Sequence, residues 1–290
     1  MNSAPVVFLL SFFALAISWF GFVLSPQIQI GRAQPETNMV NVAELYPTAR
    51  PGLAREGLQV YRACGCAECH SQQVDQTRTA CDVVLTEAGT NAGALMQALI
   101  RGGLGANNPG QYLTGLPKTV WQSVDPERAD ALHALLKTAG AKSSIVVVPV
   151  GPDLDRHWGR RRTVAADYLN DDPVMLGSLR VGPDLANVGT RLPDANWQLR
   201  HLYAPASEKP GSLMPPYRFL FELRKIQWRP SPDALQLPRE LAPPAGYEIV
   251  PRPEATALVA YLLSLHSDAP LFEAPLTVPA SAPSTNAPAK

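Results

Sequence analysis

The chain has no excess charge of either sign: 25 Lys and Arg balance 25 Asp and Glu over 290 residues. A balanced surface of this kind gives no electrostatic footprint for nucleic acid, so nucleic-acid binding is not expected. Cysteine is scarce too. Four cysteines exclude a scaffold built from disulfides, and each is therefore read first as chemistry. The histidines outside the cysteine cluster, His133, His157, His201 and His266, stand singly. With no second Cys or His pair at short spacing, a structural zinc site lacks ligands. The βαβ frame that carries a thioredoxin-like redox centre is also missing around the cysteines. Proline is plentiful instead, with 29 residues, so irregular stretches should separate the packed parts.

Charge is absent from residues 5–24, PVVFLLSFFALAISWFGFVL, and the first charged side chain is Arg32. A helix of that length spans about 30 Å, the hydrocarbon thickness of a bilayer. Trp19 and Phe20 lie towards its far end, where aromatic rings suit the interface. A cleaved signal peptide has a shorter apolar core, about 7–15 residues, behind a basic leader. Here the leader is MNSA. Residues 1–27 are read as a retained single-span anchor.

Three cysteines and a histidine crowd into RACGCAECHSQQV, residues 62–74. Its core, Cys66-Ala67-Glu68-Cys69-His70, is the C-x-x-C-H signature of covalent haem c attachment. Cysteines three apart lie near one face of a helical turn, so both sulfurs reach the vinyl groups of one porphyrin. The histidine that follows is held beneath the iron as proximal ligand. Residues 52–63 before it form a helix with Leu53, Leu58 and Tyr61 on an apolar face. Haem attachment occurs outside the cytoplasm, which orients the anchor with its amino terminus inside.

The sixth iron ligand is expected from Met214 in GSLMPPYRFLFE, where flanking prolines stiffen a loop that presents the thioether. Met175 is the rival, and His157 or His201 would give a bis-His site. In RVGPDLANVGTRL, residues 180–192, the turn at Gly182-Pro183 can offer a carbonyl to the ring N–H of His70, fixing its tautomer. In DRHWGRRRT, Arg161 sits at the centre of three arginines that can meet haem propionates, an acidic partner or solvent. Residues 254–267 have helical periodicity and an acidic start, as a closing helix would.

One anchor, then YRACGCAECHSQQV, a WG-basic stretch, GPDLANVG, NWQLRHLYAP and SLMPPY: this order resembles the mono-haem cytochrome c subunit (subunit II) of cbb3-type cytochrome c oxidases. The resemblance covers roughly residues 5–75, 155–225 and 252–266. It implies one haem c held by Cys66 and Cys69, with His70 and Met214 as axial ligands. It also implies electron transfer to a haem-copper catalytic subunit, with other c-type cytochromes as partners, and no catalytic site on the chain itself. The location implied is the bacterial inner membrane, single-pass, with the soluble part facing the periplasm. The alternatives are a cytochrome c subunit of another periplasmic oxidoreductase, or a haem or thiol redox sensor.

Residues 80–150 depart from that family. Strand-like DVVLT, a helical pattern over 91–101, a short strand at 119–123, a helix opened by Asp125-Pro126 and closed by Gly140, and β-branched SIVVVPV predict a compact α+β unit of βαβαβ type. It resembles the C-terminal domain of the bacterial ribosomal stalk protein, but GGLGANNPGQYLTGLP lacks the basic residues that follow the GLG there. Ribosomal binding is therefore not implied, and the unit is read as a docking or shielding module.

The expected fold is mainly α: an anchor helix and a discontinuous helical haem domain (28–78 and 152–266), interrupted by this insert. In an oxidising compartment a Cys64–Cys81 disulfide would tie insert to haem domain. The other readings are two free thiols or a haem register through Cys64 and Cys69. Proline-rich residues 227–253 are expected as an ordered surface loop, and residues 267–290 as a disordered tail.

Overall fold

A computed structural model describes residues 3–32, 36–37, 45–104, 109–271 and 274. Met39 and most of the expected tail lie outside the described residues. The architecture is mixed rather than mainly α, 44% helical and 15% strand. The excess of strand over expectation comes from the length of the insert strands and from a hairpin in the proline-rich region.

Helix Ala4–Trp19 continues through a π-helical turn, Phe20–Leu24, into Ser25–Arg32. The span Ala4–Gln29 has mean hydropathy 2.4, and none of it is buried among the described residues. By length and composition it can cross a membrane, which fits a membrane-anchored protein.

Helix Gly52–Ala63 crosses the closing helix Pro253–Leu263. Gly57 sits at the crossing: a Cβ there would lie 1.9 Å from the Ala257 carbonyl oxygen. One turn on, the Tyr61 and Tyr261 rings meet at 5.2 Å, both fully buried. Leu58, Leu258, Leu202 and Leu220 complete the apolar core around them. Leu53, expected on the apolar face, is instead 44% exposed at the first turn. Strand Phe221–Lys225 pairs antiparallel with Tyr247–Pro251, so the proline-rich stretch ends as the second arm of a hairpin.

The insert is a three-stranded antiparallel sheet with Arg78–Glu87 in the centre, Lys118–Val124 on one side and Lys142–Val150 on the other. Cys81, Val83 and Leu85 alternate onto one face, where Leu95 and Leu99 of helix Ala92–Arg101 and Leu132 and Leu136 of helix Pro126–Thr138 pack. Asp125 is the residue before the second helix, Pro126 opens it, and Gly140 follows it with φ +81°. Only the middle differs from a continuous βαβαβ pattern: a 3₁₀ turn, Pro109–Tyr112, lies between the first helix and the next strand.

The insert leaves and returns at adjacent positions. Arg78 pairs with Val150, and the Thr77 N–H donates to the Val150 carbonyl at 2.9 Å. Asp153, 2% exposed, is the hub of this junction. Its carboxylate accepts from the Asp75 N–H at 2.8 Å and from Arg180 Nη1 at 3.0 and 2.8 Å. Cys64 and Cys81 are both free. Cys81 belongs to the insert core, while Cys64 packs against the core of the helical domain. The hydrogen-bonded carboxylate of Asp153 ties the two ends of the insert to the loop after the motif.

The segment expected to begin the disordered tail is in part packed. Leu271 is fully buried and Ala274 nearly so, against Tyr46, Val164 and Ala166.

Gly57→Ala is expected to force the two helices apart and to cost about 1–3 kcal/mol, the usual penalty of overpacking. Urea unfolding in detergent should show a lower midpoint at unchanged slope, and an unmoved midpoint would refute the close approach. Asp153→Ala should expose the junction to limited proteolysis near residues 75–78 and 150–153, with the insert itself surviving as a resistant fragment.

Candidate functional site

The motif helix ends at Cys64. Gly65 then turns the chain at φ +66°, a left-handed position that glycine adopts without steric cost. A 3₁₀ turn, Cys66–Glu68, follows, and the His70 N–H closes on the Cys66 carbonyl at 3.0 Å. This tight turn sets Cys66 and His70 on one cavity, while Cys69 is exposed and Cys64 is half-buried against the core.

A second segment runs alongside. Ser178 N–H donates to Ala67 O at 2.8 Å, Gly182 N–H to Cys69 O at 2.9 Å, and Leu185 N–H to Ser71 O at 2.8 Å. Two glycines permit this proximity. A Cβ on Gly177 would meet the His70 carbonyl oxygen at 2.4 Å, and one on Gly182 the His70 ring at 2.3 Å. Asp184 locks the pairing from full burial. Its Oδ2 accepts from Ser71 Oγ at 2.6 Å and from the Gln73 N–H at 2.7 Å, and its Oδ1 accepts from the Ala186 N–H at 2.8 Å. Gln72 Nε2 donates to the Tyr261 hydroxyl at 3.0 Å, tying the same loop to the closing helix.

His70 Nδ1 lies 2.8 Å from the Pro183 carbonyl oxygen. A carbonyl only accepts, so Nδ1 carries the proton and Nε2 is left with its lone pair. Burial lowers the pKa of His70, against the opposing pulls of the Pro183 carbonyl and Asp184, and so favours the neutral imidazole that a metal requires. Burial pushes the Cys66 thiol up to about 12, which keeps it protonated.

The cavity is narrow, about 70 Å³, below the usual size range of cofactor sites, and it opens to solvent on one side. Its wall is largely aliphatic, with Leu185, Val188, Leu192, Leu202, Leu258 and Leu262. Met214 also lines it, on a loop that follows Gly211 at φ +80° and is pinned by the Tyr217 N–H to the Leu202 carbonyl at 2.8 Å. Thus His70 and Met214, 144 positions apart by number (214 − 70), face one space. Met175 packs on the surrounding core without lining it, and His157 is exposed on the WG stretch.

Among the described residues, three buried polar side-chain atoms have no hydrogen-bond partner: the Tyr61 hydroxyl, Arg191 Nε and His201 Nδ1. All three residues line this cavity. A soft thioether, a neutral imidazole and a thiol around an apolar space with orphaned donors fit a haem better than a bare ion. Accordingly, no group of three or more His, Cys, Asp or Glu among the described residues is placed to hold a metal alone.

Arg161 is elsewhere. It is fully buried and forked onto Asp167, with Nη2–Oδ1 at 2.7 Å and Nη1–Oδ2 at 2.9 Å. Its Nε donates to the Ala269 carbonyl at 2.5 Å, and the Tyr46 hydroxyl shares Asp167 at 2.6 Å. This arginine ties three chain segments together, is fully buried and does not line the cavity. Arg191, which sequence periodicity did not single out, is the arginine at the cavity. Its only signal in the sequence was a cation directly before Leu192 at the end of an apolar turn.

Comparison with known proteins gives two partial likenesses. A family model described as "Cytochrome C oxidase, mono-heme subunit/FixO" matches residues 142–244 and supports that family. The match takes in the WG stretch, GPDL, Arg191, His201 and Met214 but not the cysteine motif. A second likeness is to large ribosomal subunit protein bL12 of Akkermansia muciniphila, 35% identical over 72 residues. That covers 24% of this chain, which spans 58% of the length of that relative.

Gly182→Ala is expected to displace the His70 ring and lengthen its contact with Pro183, at about 1–3 kcal/mol. The His70 ring resonances should shift by NMR and the unfolding midpoint should fall. An undisturbed ring would mean that the turn has room the structure denies it.

Proposed function

We propose that this chain is a membrane-anchored mono-haem c-type cytochrome that delivers electrons to the catalytic subunit of a cbb3-type terminal oxidase. The observation that carries the reading is the convergence of His70 and Met214 on one cavity beside Cys66, in a chain whose residues 142–244 match the mono-haem oxidase subunit family. Cys66 and Cys69 would hold the haem covalently, His70 through Nε2 would be the proximal ligand and Met214 the distal one. A haem so bound supplies a one-electron couple, and His/Met ligation raises its potential.

The chain's own residues do the positioning. The Pro183 carbonyl fixes the tautomer of His70 and raises its basicity, while Asp184 holds the adjoining loop through Ser71 and Gln73. The aliphatic wall excludes water and so limits reorganisation when charge changes. No acid, base or nucleophile is asked to break a bond. The anchor helix would hold this domain on the periplasmic side of the inner membrane, within reach of a membrane-embedded partner and of soluble c-type cytochromes. The insert would serve as a docking or shielding module beside it.

The test is the reduced-minus-oxidised spectrum of the full chain, extracted from cells able to mature c-type haem. Wild type should show a covalent c-type spectrum with a methionine-to-iron band. Met214→Ala should abolish that band while Met175→Ala keeps it, and Cys66→Ser with Cys69→Ser should release the haem to acid-acetone extraction. Absence of covalent haem in wild type would sink the reading. A band that survives Met214→Ala would keep the cytochrome and move the sixth ligand.

A further inference from the structure

Strands Phe221–Lys225 and Tyr247–Pro251 form a hairpin that is buried at one end and exposed at the other. Phe221 and Ile249, each 5% exposed, belong to the core of the helical domain. At the far end Lys225 pairs with Tyr247, and the Ile226 N–H donates to the Gly246 carbonyl at 2.9 Å. Residues 227–230 cap this end. The chain then returns beside the second arm, where the Leu235 N–H donates to the Ile249 carbonyl at 2.8 Å. The cap is pinned from both sides by one buried carboxylate. Glu248 accepts from Arg224 Nε at 2.8 Å on the incoming strand and from the Ser231 N–H at 2.6 Å on the outgoing chain. On this fixed loop Trp228 is 96% exposed. Among the described residues no ring packs on it and no cation lies over it. Leu223 and Tyr247 are exposed on the two arms. Lys225 and Arg229 flank the tryptophan, and among the described residues neither forms an ion pair. No acid stands between Glu222 and Asp233.

An indole held out in water forgoes the burial that makes tryptophan valuable, so a loop that fixes it there points to something outside the chain. Indole and phenol rings are the side chains that settle at the membrane–water interface. Lysine and arginine beside them meet the phosphates of anionic lipids, which supply the counter-charge that Lys225 and Arg229 lack within the fold. The anchor helix ends at Arg32 and the helical domain begins at Gly52. This tether confines the domain to the neighbourhood of a bilayer, where even weak interfacial affinity is effective. We propose that the hairpin tip, Trp228 with Leu223, Lys225, Arg229 and Tyr247, is a second membrane contact that seats in the headgroup layer of a bilayer bearing anionic phospholipid. The inference rests on the membrane-anchored reading above. Its consequence for the domain is orientation. Phe221, at the buried end of the hairpin, shares one core with Met214 and Tyr217, so a seated tip sets the direction in which the cavity faces.

The experiment is hydrogen–deuterium exchange, read by mass spectrometry, on the full chain in nanodiscs of phosphatidylcholine and phosphatidylglycerol. The samples are wild type, Trp228→Ser, and the double variant Lys225→Gln with Arg229→Gln. Amides of residues 226–229 should be protected several-fold more in wild type than in Trp228→Ser, while the turn of the insert at Gly140 exchanges alike in both. The double variant should lose most of that protection, and wild type should lose a similar share in discs of phosphatidylcholine alone. Because Trp228 is almost wholly exposed, Trp228→Ser should keep the unfolding midpoint of wild type. Equal protection of residues 226–229 in wild type and Trp228→Ser would overturn the proposal. Protection that arises only in a complex extracted with partner subunits would overturn it too, and would make the tip a protein contact. Wild type that fails to enter the discs, or that alkaline carbonate strips from vesicles, would condemn the anchored reading itself. Incorporated chain with indifferent variants condemns this inference alone.

Discussion

The contact of Gly57 with the Ala257 carbonyl is the constraint from which the helical domain follows. Without a side chain at residue 57 two helices approach at backbone distance, and that brings Tyr61 onto Tyr261. Tyr261 then reaches Gln72, the second residue past His70, and Gln72 belongs to the loop that Asp184 holds through Ser71 and Gln73. The same turn carries the Pro183 carbonyl that selects the His70 tautomer. Gly189 repeats the device on the other side of the closing helix, where a Cβ would fall 2.3 Å from the Leu263 carbonyl oxygen. The position of one imidazole is thus linked to helix packing elsewhere in the domain, through buried groups each of which costs about 1–3 kcal/mol if left unpaired.

Two carboxylates divide the labour of holding the rest. Asp153 fastens the insert to the loop that follows the motif, and Asp167 fastens the WG-basic segment to Tyr46 and Ala269. Each is almost inaccessible and each is matched by an arginine. In neither case is the arginine a recruiter of ligands. Arg180 and Arg161 are neutralised inside the fold, and the arginine with a vacant donor is the one whose short helix forms the cavity wall.

How far the sequence could be read depended on the range of the forces involved. The C-x-x-C-H turn, the helix before it and the insert helix opened by Asp125-Pro126 are set by neighbours within a few residues, and they were legible. The contact of His70 with Pro183 was legible because a glycine-proline turn is a local shape with few uses. Arg161 was misread because a run of three arginines looks solvated until Asp167 and Ala269 enclose its middle member, and nothing nearby announces a buried fork. Arg191 escaped notice for the same reason in reverse: an unpaired donor is visible only when all its possible partners have been placed. Strand Tyr247–Pro251 was hidden by the prolines around it, although an edge strand tolerates Pro251 at its end. The Cys64–Cys81 pairing rested on compartment chemistry alone, which says that two thiols are free to join but not that they meet.

The adjacent departure and return of the insert changes how the chain can be assembled. The two ends of the insert lie side by side in the folded chain, and as an unstructured loop their closure would grow costlier by about 0.6 kcal/mol with every doubling of length. An insert whose own sheet pairs Arg78 with Val150 delivers the two ends side by side as it folds. To the rest of the polypeptide it then behaves as a tight turn of a few residues, so the added length costs the surrounding domain little closure entropy.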